Sequence, residues 1–175
     1  MSAKPQIKGW CPGAHRPMMS GDGLVVRVRP FLAHLDAAQV CGLTALAQRF
    51  GNGTLDLTSR ANLQIRGVAP EDHPALLDAI AALGLIDTYP AIEGQRNILV
   101  APDWEAGDLT HRLYQRLLAA LPDLPRVPEK MGFALDTGAR ACLQGGSADF
   151  RFERADNAAL ILRADGAAEG WPVTE

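Results

Sequence analysis

Cysteine is scarce: three in 175 residues, Cys11, Cys41 and Cys142, scattered and odd in number. That argues against a disulfide framework and fits a reducing compartment. It also leaves too few thiolates for a self-contained four-cysteine iron–sulfur site. No apolar run approaches the about 18–20 residues that a membrane helix needs. Met1-Ser2-Ala3-Lys4-Pro5 leads into no hydrophobic stretch of the kind that opens a secretory signal. The expectation is a cytoplasmic chain without a membrane partner. Low-complexity segments and internal repeats are missing as well. With 47% hydrophobic and 21% charged residues, the composition is that of an ordinary globular chain. The length allows one domain, or one and part of another.

Charge is unevenly spread. Residues 1–66 hold eight basic and three acidic side chains, a net of +5, and the remainder nine basic and seventeen acidic, a net of −8. The first third is therefore expected to face an anion. Within it, Leu24-Val25-Val26-Arg27-Val28-Arg29 is a β-branched run ended by Pro30. Asp36 can cap a helix to about Phe50, with Val40, Leu43, Leu46, Ala47 and Phe50 on one stripe, and Gly51-Asn52-Gly53 stops it. Residues 54–58 and 60–66 alternate as half-buried strands, and a second helix spans about Pro70–Leu83 with Leu76, Leu77, Ile80 and Leu83 inward. Short Leu85-Ile86 is the candidate for a fourth strand. The order resembles a ferredoxin-like unit, an antiparallel sheet with both helices on one face.

Alternation decides which side chains share a face. Leu24, Val26, Val28, Leu55, Leu57, Leu63 and Ile65 form the floor beneath the helices. Arg27, Arg29, Thr54, Asp56, Thr58, Arg60, Asn62, Gln64 and Arg66 fall on the opposite side. An open antiparallel sheet often carries a wet polar face. Here the cations are all arginine, whose fork of donors suits carboxylates or phosphates. Single-stranded nucleic acid needs aromatic stacking residues on such a face, and the strands offer none. Gly21-Asp22-Gly23 and Gly51-Asn52-Gly53 are too short for phosphate loops. A ligand bearing several carboxylates fits best.

Past Tyr89-Pro90 the pattern changes, placing a boundary near residue 90 and two units, 9–89 and 90–175. Strands are expected at 96–100, 131–135, 149–152 and 159–162, and a helix at 106–121 with Leu109, Leu113, Leu117 and Leu118 inward. Residues 121–128 hold three prolines and form a connector. The fold class is α+β, the second unit being part of an α/β domain. Cys11 and His15 are two ligands, too few for a metal, and Cys11 reads as structural. His34, His73 and His111 stand alone, and Asp136 at a strand end reads as structural.

Thr58-Ser59-Arg60-Ala61-Asn62-Leu63-Gln64-Ile65-Arg66-Gly67 resembles the tetrapyrrole-contacting strand of the nitrite and sulfite reductase family, with its Thr-x-Arg-x-x-x-Gln. Gly9-Trp10-Cys11-Pro12-Gly13, Pro17-Met18, Ser20-Gly21-Asp22-Gly23-Leu24 and Arg27-Val28-Arg29-Pro30 resemble the start of its precorrin-3B synthase branch, which acts in aerobic cobalamin biosynthesis. Arg96-Asn97-Ile98 with Ala101-Pro102 is similar to the opening of the family's second domain, and Pro128-Glu129-Lys130-Met131-Gly132-Phe133 with Asp136 to its Pro-x-Lys-Phe stretch.

The resemblance implies that Arg27 or Arg29, with Arg60, Asn62, Gln64 and Arg66, holds the carboxylates of a precorrin-3A-like macrocycle. Arg96 and Lys130 would sit near the reacting centre. The branch uses molecular oxygen to hydroxylate precorrin-3A and close a lactone, with a 4Fe-4S cluster and a further iron. Family cluster cysteines lie downstream in Cys-x5-Cys and Cys-x3-Cys patterns, and Cys142 lies in neither. This chain is expected to supply the carboxylate-binding wall without the redox centre, and to be nearly inactive alone. Its partner would be the missing C-terminal half or a second copy of itself. The alternatives are a stand-alone tetrapyrrole-binding or carrier module, and a sulfite or nitrite reductase fragment. The last is disfavoured because Gly132 stands where the reductases carry a second lysine.

Overall fold

The computed structural model describes residues 11–125, 128 and 130–175; Gly9, Trp10 and Glu129 of the motifs above lie outside them. β1 (Met18–Ser20) and β2 (Gly23–Val28) form a hairpin, with Ser20 opposite Gly23. Asp36 then caps α1 (Ala37–Phe50) through a capping box: its carboxylate accepts from Gln39 N at 2.7 Å, and Gln39 Oε1 accepts from Asp36 N at 3.1 Å. β3 (Leu55–Leu57) and β4 (Leu63–Val68) follow, then α2 (His73–Ala82) after a 3-10 turn at Pro70–Asp72. The sheet order is β1-β2-β4-β3, antiparallel throughout.

Val26, Val28, Ile65 and Val68 from the sheet pack with Leu43 and Ala47 of α1 and Leu76 and Ile80 of α2 in one core. Gly42 lets the helices meet, because a Cβ there would lie 2.6 Å from Leu83 Cδ2. Val40, expected on the buried stripe, is 47% exposed. The register shifts by one residue between Leu24 and Val26, opposite Gly67 at φ +71°. This bulge turns Val68 back into the core after Leu63 and Ile65, and glycine supplies the left-handed backbone it needs.

The fourth strand is Met18–Ser20, not Leu85-Ile86. The tight Gly21-Asp22 turn lays β1 along the free edge of β2, the position a strand from 85–86 would need. Leu85 is nonetheless buried in the core.

The remaining chain builds a second, mixed sheet. α3 (Pro90–Gln95), which the pattern did not suggest, leads into β5 (Ile98–Val100). α4 (Leu109–Ala120) is capped by Asp108, whose carboxylate accepts from His111 N at 2.7 Å. β6 (Phe133–Asp136), β7 (Phe150–Arg154), β8 (Leu160–Ala164) and a short β9 (Trp171–Pro172) complete the order β5-β6-β7-β8-β9. β5, β6 and β7 run parallel, and the last two pairings are antiparallel. α4 covers one face, where Leu113 and Tyr114 pack on Val100, Leu135 and Leu160. Of the four leucines expected inward, Leu113 is buried, and Leu109, Leu117 and Leu118 line the margin.

Phe31, Leu32 and Ala33 cross from the end of β2 to pack on this second core, with Leu32 and Ala33 at φ +55° and +50°. Among the described residues, no helix is long and apolar enough to cross a membrane.

Candidate functional site

β2 turns Arg27 away from the helices, and β4 turns Gln64 and Arg66 the same way; Arg29 follows just past the end of β2. Register puts Arg27, Gln64 and Asp56 in one row across β2, β4 and β3. The expected polar platform is therefore real as a surface, but its arginines have different fates.

Arg29 is sealed. It is 3% exposed, and Nη1 is ion-paired with Glu93 Oε1, while Nη2 donates to Pro12 O at 3.4 Å. Glu93, itself 4% exposed, also accepts from Ala14 N at 2.7 Å and His15 N at 3.2 Å. Burial pushes the Arg29 pKa down, and Glu93 opposes that shift. Beside the pair lies a cavity of about 220 Å³ lined by Cys11, His15, Arg16, Arg29 and Glu93 among others.

Arg96 is sealed in the same way. Its Nε meets Asp87 Oδ1 and Oδ2 at 3.0 and 2.9 Å, its Nη2 donates to Arg29 O at 2.8 Å, and the guanidinium lies 4.0 Å over the Phe31 ring. Arg29, Glu93, Arg96 and Asp87 thus form a buried quartet joining the two sheets. Sequence spacing gave no sign of it, because Asp87 and Glu93 come from a segment with no periodicity.

Arg66 is partly exposed and already occupied. It meets Asp22 at 3.3–3.4 Å, Asp56 at 3.3 Å and Ser20 Oγ at 3.2 Å. Arg60 and Asn62 belong to a turn, not to the strand expected to start at 60. Thr58 Oγ1 accepts from Arg60 N at 3.4 Å and Asn62 N at 3.2 Å, holding Ala61 at φ +52°. Asn62 is 6% exposed, whereas Arg60 reaches outward to Ser147 Oγ at 3.2 Å.

Arg27 is half-buried, and its Nε is buried with no hydrogen-bond partner. Burial is the main cause lowering its pKa; the Cys11 thiol opposes this, and the like charge of Arg60 lowers it further. A buried guanidinium N–H left without a partner beside the row of Gln64 and Asp56 is what an anion would satisfy.

Lys130 is exposed in the loop before β6. Asn97 Nδ2 donates to Met131 O at 3.3 Å, so the loops holding Arg96 and Lys130 lie side by side, yet Arg96 faces inward. At Gly132 a Cβ would lie 3.1 Å from Asn97 O and 3.7 Å from Ser147 O, so backbone crowds the position. Asp136, 3% exposed, accepts from Cys142 N and Leu143 N at 2.8–3.0 Å and anchors a loop.

The family model of the nitrite/sulfite reductase ferredoxin-like half domain matches residues 16–83. Residues 16–83 are such a half domain. The chain is 36% identical over 164 residues to a precorrin-3B synthase from Sinorhizobium sp, covering 88% of this chain and 34% of that protein. It is 30% identical over 135 residues to a ferredoxin–nitrite reductase from Synechococcus elongatus, covering 70% of this chain and 26% of that protein. A ferredoxin–nitrite reductase from Leptolyngbya laminosa matches at 31% over 94 residues, 53% of this chain and 18% of that protein. The chain spans about a third or less of the length of these relatives.

The half domain contains the row Arg27–Gln64–Asp56, the Thr58–Asn62 turn and Arg66. The residues present do not fit a four-thiolate cluster. Cys11, Cys41 and Cys142 are free thiols, and no group of three or more His, Cys, Asp or Glu among the described residues could hold a metal ion.

Proposed function

We propose that this chain binds the peripheral carboxylates of a tetrapyrrole on the open face of the half domain, as the carboxylate-binding part of a precorrin-3B synthase-like oxidoreductase. The reaction of the whole enzyme would be the oxygen-dependent hydroxylation of precorrin-3A with lactone formation, in aerobic cobalamin biosynthesis. The observation that carries the reading is the buried, unsatisfied Arg27 Nε on the face that also presents Gln64. Arg27, Arg60 and Gln64 would grip the macrocycle, and Arg66 would join once a ligand carboxylate displaces Asp22 or Asp56. Arg29 and Arg96 would act from below, holding the strand end and the crossing segment in place. Lys130 would approach from the neighbouring loop.

The redox centre, a 4Fe-4S cluster and a further iron in the family, would come from the family's second half; a second copy of this chain could take that half's place beside the sheet but would bring no cluster of its own. Exposed Leu57 on the edge strand β3, 84% accessible, supports a partner there. Among the described residues, the open face carries Met18, Ser20, Asp56 and Gln64 beside its arginines and no aromatic platform, which speaks against nucleic acid. A cytoplasmic location fits the free cysteines. The crowding at Gly132 favours the synthase over a nitrite reductase, since a lysine there would press on Asn97 O.

Titration with uroporphyrin, an octacarboxylate, tests the reading. Arg27→Ala with Arg60→Ala should weaken binding by about 3 kcal/mol, a little over a hundredfold. Arg49→Ala, on α1 with its guanidinium over Phe50, should change nothing. Equal affinity of the double variant and the wild type would overturn the assignment.

A further inference from the structure

The second sheet sends one loop to the half domain, and that loop is held by two buried charges of opposite sign. Asp136 accepts the amides of Cys142 and Leu143. Arg151, 2% exposed on β7, donates to Leu143 O at 2.9 Å and Gly146 O at 2.5 Å, and its Nε meets Asp165 Oδ1 at 2.8 Å. Gly146 N closes the turn onto Leu143 O at 2.8 Å. Beyond it, Asp149 is pinned to Gly132, accepting from Gly132 N and donating to Gly132 O, both at 2.8 Å.

Between these anchors stands Ser147, exposed, with Oγ 3.2 Å from Arg60 Nη2. A guanidinium only donates, so Ser147 Oγ accepts there, and its own hydroxyl hydrogen remains to be given. Buried charges holding a loop that carries an exposed hydroxyl, set against Arg60, form a prepared contact.

We propose that Ser147 binds the same ligand carboxylate as Arg60, donating its hydroxyl hydrogen to it, so that the anion site is shared between the half domain and the second sheet. Arg151 is then a positioning residue acting through the loop. This rests on the carboxylate-binding reading above, and the test separates the two.

Uroporphyrin is titrated into the full chain and into Ser147→Ala, Ser147→Thr, Arg60→Ala and the Arg60→Ala, Ser147→Ala double variant. Ser147 is exposed, so its variants should fold as the wild type does. Loss of the hydroxyl should weaken binding about fivefold and threonine should restore it to within about twofold. The double variant should lose less than the product of the two single losses, because the two groups share one carboxylate. If Arg60→Ala weakens binding and Ser147→Ala does not, the shared site is overturned and the arginine reading stands. If neither substitution changes affinity, both readings fall.

Discussion

Arg96 and Asp87 lie nine residues apart in sequence and meet with both carboxylate oxygens within 3.0 Å of Nε, each side chain 5% exposed or less. Nη2 lies 2.8 Å from Asp87 Oδ2 and also donates to Arg29 O at 2.8 Å, so the pair ties α3 to the end of β2. Breaking a buried pair leaves an uncompensated charge and costs about 3–5 kcal/mol. Asp87→Ala should therefore lower the thermal midpoint by several degrees, measured by circular dichroism. A midpoint within a degree of the wild type would contradict the quartet's role in joining the sheets.

Ala61 sits at φ +52° in the turn that presents Arg60. A non-glycine residue there bears a strain of about 1–2 kcal/mol, which glycine relieves less its own backbone entropy. Ala61→Gly should leave stability unchanged or raise it by up to about 1 kcal/mol in urea unfolding. It should also loosen the placement of Arg60, so uroporphyrin affinity should fall while stability does not.

The first sheet was largely legible because its cues are local. Alternation set the faces of β2 and β4, and the Asp36–Gln39 box set the start of α1, but Leu57 of the edge strand β3, expected in the floor, is 84% exposed. β1 was not legible: three residues, Met18-Met19-Ser20, carry no pattern, and the hairpin turn pairs them. Arg60 and Asn62 alternate as strand residues would, but Thr58 Oγ1 captures their amides and bends them into a turn. The burial of Arg29 depends on Glu93, 64 residues away on a six-residue helix, and no periodicity reports such a partner. Ser147 likewise meets Arg60 across 87 residues.

The Asp22 carboxyl is held below its ordinary range, chiefly by its hydrogen bond from Arg66. A depressed carboxylate pKa gives stability that is complete above the unfolded value and lost as pH falls through the folded one. Both side chains are about a third accessible, so the effect is small and screened by salt. A carboxyl-detected NMR titration should place the Asp22 midpoint below that of an unpaired aspartate. Arg66→Ala should raise it. An unchanged midpoint in that variant would remove Arg66 as the cause.

The central claim is that Arg27 and Arg60, and not the sealed Arg29 and Arg96, meet the ligand. Arginine Nε–H NMR signals, assigned by substitution, report this directly as uroporphyrin is added. The Arg27 and Arg60 signals should shift and saturate together, while those of Arg29 and Arg96 stay near their starting positions. Saturable binding that leaves the Arg27 and Arg60 signals unmoved would contradict the account.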